Sequence, residues 1–164
     1  MPTVYPSITS AALATLALAA GPAAYGADLY RGKKLRYMVV DYTIPATGGA
    51  VPLTGDSITL CKLPKGAILS PAHSHVWNEL VHTALNLNIG CDGVTATANR
   101  YAAALDVKAA NSLTSFASGT IPIAQKTPYQ TLAEVTVTAV LTSTVTLNAS
   151  ASQLRFTIGY WLNS

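Results

Sequence analysis

The chain has 164 residues, enough for one domain with a short extension beside it. Charged side chains make up 10% of it, against roughly 25% in an average soluble domain, which argues against the charge-rich surface of a free monomer. The net charge is +3, and two cysteines outside any Cys-x-x-Cys pattern exclude a disulfide framework.

Residues 1–27 carry no charged side chain. Within them, Ile8 to Ala20 has the apolar run of a signal-peptide core, but no Lys or Arg precedes it as such a leader requires. The run is also too short and too rich in Ala and Thr to cross a bilayer, which takes about 20 apolar residues. It reads as part of the mature protein, an arm over residues 1–32 laid on a partner, with Gly21-Pro22 and Gly26 breaking any helix. Arg31, Lys33, Lys34 and Arg36 then place four of the ten basic residues within six positions. Tyr30 and Tyr37 lie nearby, but no nucleic-acid-binding motif accompanies the patch. A strand start or a contact with an acidic protein surface is expected there instead.

A second region, 33–164, carries the strand signals. Lys34 to Ile44 is rich in β-branched and aromatic residues and predicts the first strand. Pro45 to Gly55 is a loop, Ser57 to Leu63 alternates as a second strand, Pro64-Lys65-Gly66 is a turn, and Ala67-Ile68-Leu69 resumes the strand. Leu85, Leu87 and Ile89 share one face of a further strand that Cys91-Asp92-Gly93 ends. Ala98 to Val107 has helix-forming composition and predicts one short helix. Thr131 to Leu141 alternates strongly, and Thr144 to Asn148 continues in the same way. Gln153 to Leu162 places Leu154, Phe156, Ile158, Tyr160 and Leu162 on one face. The fold class is therefore all-β, an antiparallel jelly roll or β-sandwich, with its last three strands read as a meander. Cys61 and Cys91 sit in apolar stretches and are expected as free thiols.

One cluster has the chemistry of a metal site: His73-Ser74-His75, followed by Glu79 and His82. On a strand, residues two apart share a face, so His-x-His can present both imidazoles to one ion. The run resembles the first motif of the cupins, metal-binding jelly rolls, in which Gly, five residues, His-x-His, three or four residues and Glu precede a second Gly by six. Here six residues separate Gly66 from His73, ten separate Glu79 from Gly90, and no histidine follows His82. The competing reading is a polar loop or a subunit contact. No P-loop or G-x-S-x-G elbow is present, and the seven acidic residues are scattered. The expectation is a protein that is not an enzyme and uses no cofactor.

Certain segments also follow one another in a familiar order. They are Gly55-Asp56-Ser57-Ile58-Thr59-Leu60, Lys62-Leu63-Pro64-Lys65-Gly66-Ala67-Ile68, and Leu87-Asn88-Ile89-Gly90-Cys91-Asp92-Gly93. Ala98-Asn99-Arg100-Tyr101 and a closing strand from Leu154 to Trp161 complete it. This order resembles the tailed-phage capsid decoration, or cement, proteins with a jelly-roll or β-sandwich body. The resemblance spans about residues 34–164 and describes a fold more than a site. It implies a structural virion protein, made in the host cytoplasm, on the outside of an assembled capsid. There it would cement neighbouring major capsid protein subunits and associate with itself as a homo-trimer or dimer. Neither a membrane nor direct nucleic-acid contact is implied. Composition then nominates the contacts: Tyr5, Leu13, Leu16, Leu18, Tyr25 and Tyr30 of the arm, with Arg31, Lys33, Lys34 and Arg36. The rival readings are a cupin-like metal protein using His73, His75, Glu79 and His82, and another virion component such as a head-fibre base or a tail or adaptor protein.

Overall fold

Period-two alternation of apolar residues builds nine strands among the described residues of a computed structural model, which are 32–92, 97–120 and 129–163. They are β1 (Lys33–Ile44), β2 (Ser57–Leu63), β3 (Ile68–Leu69), β4 (His75–Asn78), β5 (Asn86–Cys91), β6 (Thr97–Asp106), β7 (Ser112–Ser115), β8 (Val135–Leu141) and β9 (Ser152–Asn163). Two single 3₁₀ turns, Pro71–His73 and Phe116–Ser118, interrupt them. Every strand pairing is antiparallel.

One sheet has the order β1-β9-β4-β7, with β3 also on β9, and the other has β2-β8-β5-β6. The pairings are nested. β1 lies on β9, β2 on β8, β4 on β7 and β5 on β6, as though one long hairpin had been rolled over on itself. Rolling brings β9 against β4 and β8 against β5. That nesting is a jelly roll, and it bears out the all-β expectation.

The core lies between the two sheets. β9 contributes Leu154, Phe156 and Ile158, and β8 contributes Val135, Val137, Ala139 and Leu141, all buried. Leu87, Ile89 and Leu105 meet them from β5 and β6, while Met38, Val40 and Tyr42 pack on the core from β1. Each fully buried Leu, Ile or Phe is worth about 1.5–3 kcal/mol, so this cluster carries the stability without any cross-link. Cys61 and Cys91 are both free. They flank Val137 from opposite sides, on strands two spacings apart, about 10 Å and too far for a disulfide.

Three sequence expectations are corrected. The Ala-rich run from 98 to 107 forms β6, not a helix. Tyr101 and Leu105 have helical spacing, yet the period is produced by a β-bulge: two steps along β5, Leu87 to Ile89, match three along β6, Ala102 to Leu105. Ala104 absorbs the extra residue with φ +51°, and its N–H donates to Asn88 Oδ1 at 2.8 Å. The closing meander is also absent, because β8 and β9 belong to different sheets. Finally, residues 144–148 form no strand and instead belong to the connection between them. Short β4 and β7 were not anticipated, since four residues carry too little alternation to register.

Candidate interaction surface

The nesting gathers the connections at residues 45–56, 79–85, 107–111 and 142–151 at one end of the roll. Val145 N–H donates to Pro52 O, Asn148 Nδ2 to Val81 O, and His82 N–H to Lys108 O. His82 itself is buried there, with Nε2 3.3 Å from Ser152 Oγ and Nδ1 3.4 Å from Thr146 O. Glu79 Oε2 accepts the Gln153 N–H at 2.9 Å. His73 sits in the 3₁₀ turn that Pro71 initiates, not on a strand, so the shared-face premise for His73 and His75 fails. Its Nδ1 lies 2.8 Å from Ser70 Oγ, and its ring stands edge-on to Trp161 with centroids 6.0 Å apart. His75 points outward on β4. Among the described residues no group of three or more His, Cys, Asp or Glu is placed to hold a metal.

The two sheets differ sharply in what they show to solvent. Residues directly opposite each other in an antiparallel pair share a face, so the register identifies the outward side chains. On the β2-β8-β5-β6 sheet these include Ser57, Thr59, Thr136, Thr138, Asn86 and Asn88, with the charged Lys62 and Asp106 and a half-buried Val140, the mainly polar set of a wetted sheet. On the β1-β9-β4-β7 sheet the outward rows read Leu35–Trp161, Tyr37–Gly159, Val39–Thr157–His75–Ser115 and Asp41–Arg155–Trp77–Leu113, with Gly159 itself buried beneath His73 of the 3₁₀ turn. Tyr37, Val39 and Leu113 are 55%, 60% and 63% exposed. None of the exposed large hydrophobics among the described residues lies on a strand of the other sheet. Both tryptophans of the chain belong to this face, half-buried.

Only one pair of charges lies among these rows. Arg155 donates from Nε to Asp41 Oδ1 at 2.7 Å and from Nη2 to Asp41 Oδ2 at 3.0 Å. The guanidinium holds the Asp41 carboxyl below its ordinary value. The face is thus apolar, aromatic and internally neutralised. Sequence reasoning singled out Tyr37 only as a neighbour of the basic patch, and missed Val39, Trp77, Leu113, Arg155 and Trp161. The available signal was the unbroken apolar run Tyr37-Met38-Val39-Val40, which marks a strand apolar on both faces.

The basic residues gather at the end opposite the loops. Lys33 Nζ donates to Gly66 O at 2.9 Å, tying the start of β1 to the turn after β2. Lys33, Lys34 and Arg36 therefore share that end with Lys62 and Lys65. Of these, Lys62 is paired, 3.3 Å from Glu134 Oε1, and Asp92 lies close enough to Lys62 to feel its charge, so the end is net basic with two carboxylates in it. Asp56, Glu79 and Asp106 lie at the loop end, where Lys108 pairs with Asp106 at 2.8 Å. The roll is electrostatically polarised along its strands. Tyr5, Leu13, Leu16, Leu18, Tyr25, Tyr30 and Arg31 lie outside the described residues.

No family model and no curated protein matches the chain. Solved structures do. A chain of the cyanophage Pam1 capsid asymmetric unit shares the fold at a TM-score of 0.56 and 18% identity, covering 80% of this chain and 87% of that one. A chain of the Ralstonia phage GP4 capsid does so at 0.55 and 15%, covering 79% and 86%. At such identities the likeness is one of fold: the protein is an antiparallel jelly roll similar to chains found in these two phage capsids.

Proposed function

We propose that this chain is a structural, non-enzymatic virion protein that attaches to the outside of an assembled phage capsid and cements neighbouring major capsid protein subunits. The observation that carries the reading is the likeness of nearly the whole jelly roll to chains of two phage capsids. A surface short of charge and a polarised roll support it. Attachment proceeds by buried area repeated across a symmetric shell, which gives avidity without chemistry. The basic end, Lys33, Lys34 and Arg36 with Lys62 and Lys65, meets an acidic surface of the shell, and the uncharged arm with Tyr5, Leu13, Leu16, Leu18 and Tyr25 clamps a neighbouring subunit.

Co-sedimentation of the purified chain with assembled shells tests this, with the 28–164 fragment alongside. The expected result is saturable binding in a fixed ratio to the major capsid protein, weaker in the fragment and weakened by salt, because exposed charges are screened beyond about 10 Å at 0.1 M. No binding to mature shells would remove the cement role. Full occupancy by the fragment would remove the clamp alone.

A further inference from the structure

We infer that the outward face of the β1-β9-β4-β7 sheet, centred on Val39, Arg155, Trp77 and Leu113, is where a second copy of this chain packs. The other sheet provides the internal comparison. Its outward Thr, Ser and Asn side chains show what this sequence places where water is met, and the apolar rows of the first sheet depart from it on every strand. Of the seven exposed large apolar side chains among the described residues, Tyr37, Val39 and Leu113 lie on this face and the other four lie in connections, and an apolar cluster on a sheet face marks an interaction site. Trp, Tyr and Arg in its middle are the residue types that dominate such contacts.

Electrostatics decides which occupant the face suits. Meeting through the basic ends would set Lys33, Lys34, Arg36 and Lys65 of two copies against each other, with only Glu134 and Asp92 to offset them. Two copies can meet through the sheet face, because the Asp41–Arg155 pair is complete within each chain and leaves no net charge on the rows described. Homomeric contacts are the more apolar class of interface and are depleted in charge, as this face is.

The area is that of a weak contact. From Leu35 to Thr43 the face runs about 30 Å along β1 and β9 at ~3.3 Å per residue, but only about 13 Å along the four-residue β4 and β7, with strands ~4.8 Å apart. That is roughly 410 Å² per copy and about 830 Å² for the pair, below the ~1,000 Å² expected of a stable specific contact. Association is therefore weak and concentration-dependent. The two sheets stack about 10 Å apart, as the layers of a sandwich do.

Sedimentation velocity of the full chain, without any shell, tests the inference separately from the cement reading. The wild-type protein should self-associate reversibly as concentration rises through the micromolar range. Val39→Glu and Leu113→Glu, both at well-exposed positions, should weaken association by about 100-fold or more, since each buries an unpaired carboxylate. Thr59→Glu, on the outward face of the other sheet, should leave it unchanged, and circular dichroism should show all three folded. A monomer at every concentration would overturn the inference and assign the face to a chain of different sequence. An assembly of any size that survives Val39→Glu, or that Thr59→Glu disrupts equally, would overturn it as well.

Discussion

Replacing Gly159 by alanine tests how β9 supports the turn that lies across it. A Cβ at Gly159 would sit 2.6 Å from the His73 carbonyl oxygen and 2.7 Å from His73 Cβ, about 0.8 Å short of the 3.4 Å where ordinary contact begins. The obstacle is backbone, so it cannot swing aside. The 3₁₀ turn is anchored on the same residue: Ser70 N–H donates to Gly159 O at 2.8 Å, and Gly159 N–H donates to Ser74 Oγ at 3.0 Å. Ser74 in turn donates to Ser70 O at 2.7 Å. Lifting the turn by that distance loses one or two of these bonds at ~1 kcal/mol each and adds about 1–3 kcal/mol of overpacking. Alanine recovers roughly 0.4–1 kcal/mol by restricting the unfolded chain, leaving a net loss of about 1–4.5 kcal/mol. For a domain of this size that lowers the Tm by about 3–14 °C. Thermal unfolding followed by circular dichroism reads it, with Thr157→Ala, one register row away, as the control. A Gly159→Ala midpoint within 2 °C or so of wild type would show that the turn yields freely and that the anchoring argument is wrong.

Three further outcomes follow from individual contacts. Ala104→Gly should stabilise the protein by about 1 kcal/mol in chemical denaturation, because alanine is held at φ +51° by the bulge and glycine is not strained there; a loss of stability would refute the bulge geometry. Burial pushes the Cys61 thiol up to about 11, so at pH 8 only about one in a thousand is thiolate and a disulfide reagent should leave Cys61 unlabelled until guanidinium is added. Prompt reaction of Cys61 in the folded protein, located by mapping the labelled peptide, would contradict its inward placement. Asp41 titrates below its ordinary 3.8 because Arg155 binds it, so its contribution is complete above that value and is lost as pH falls through the lowered one. Below that window Arg155 is left uncompensated on the sheet face, and self-association should weaken with acid; Asp41→Asn should reproduce this at pH 7, and indifference to both changes would discount the pair.

The sequence alone determined that the protein is all-β, because period two in β8 and β9 leaves one face of each strand apolar whatever partner it finds. It also placed the Pro64-Lys65-Gly66 turn, where Gly66 adopts φ +86°. It grouped Lys33, Lys34 and Arg36, which are neighbours in the chain. Pairing was beyond its reach: nested β1·β9 contacts join residues more than a hundred positions apart, and nothing local distinguishes them from a meander. The bulge in β6 was hidden for a related reason, since Asn88 from another strand holds Ala104 in place and one inserted residue gives a strand the spacing of a helix. The histidine cluster went the opposite way. Its residues are close in sequence, but a 3₁₀ turn and a buried loop send His73, His75 and His82 to different surroundings. The apolar face, too, was decided by the tertiary structure. Alternation shows that Tyr37 and Val39 oppose Met38 and Val40, yet only the register sets Trp77, Leu113, Arg155 and Trp161 beside them, because a sheet face is assembled from strands that the chain visits far apart.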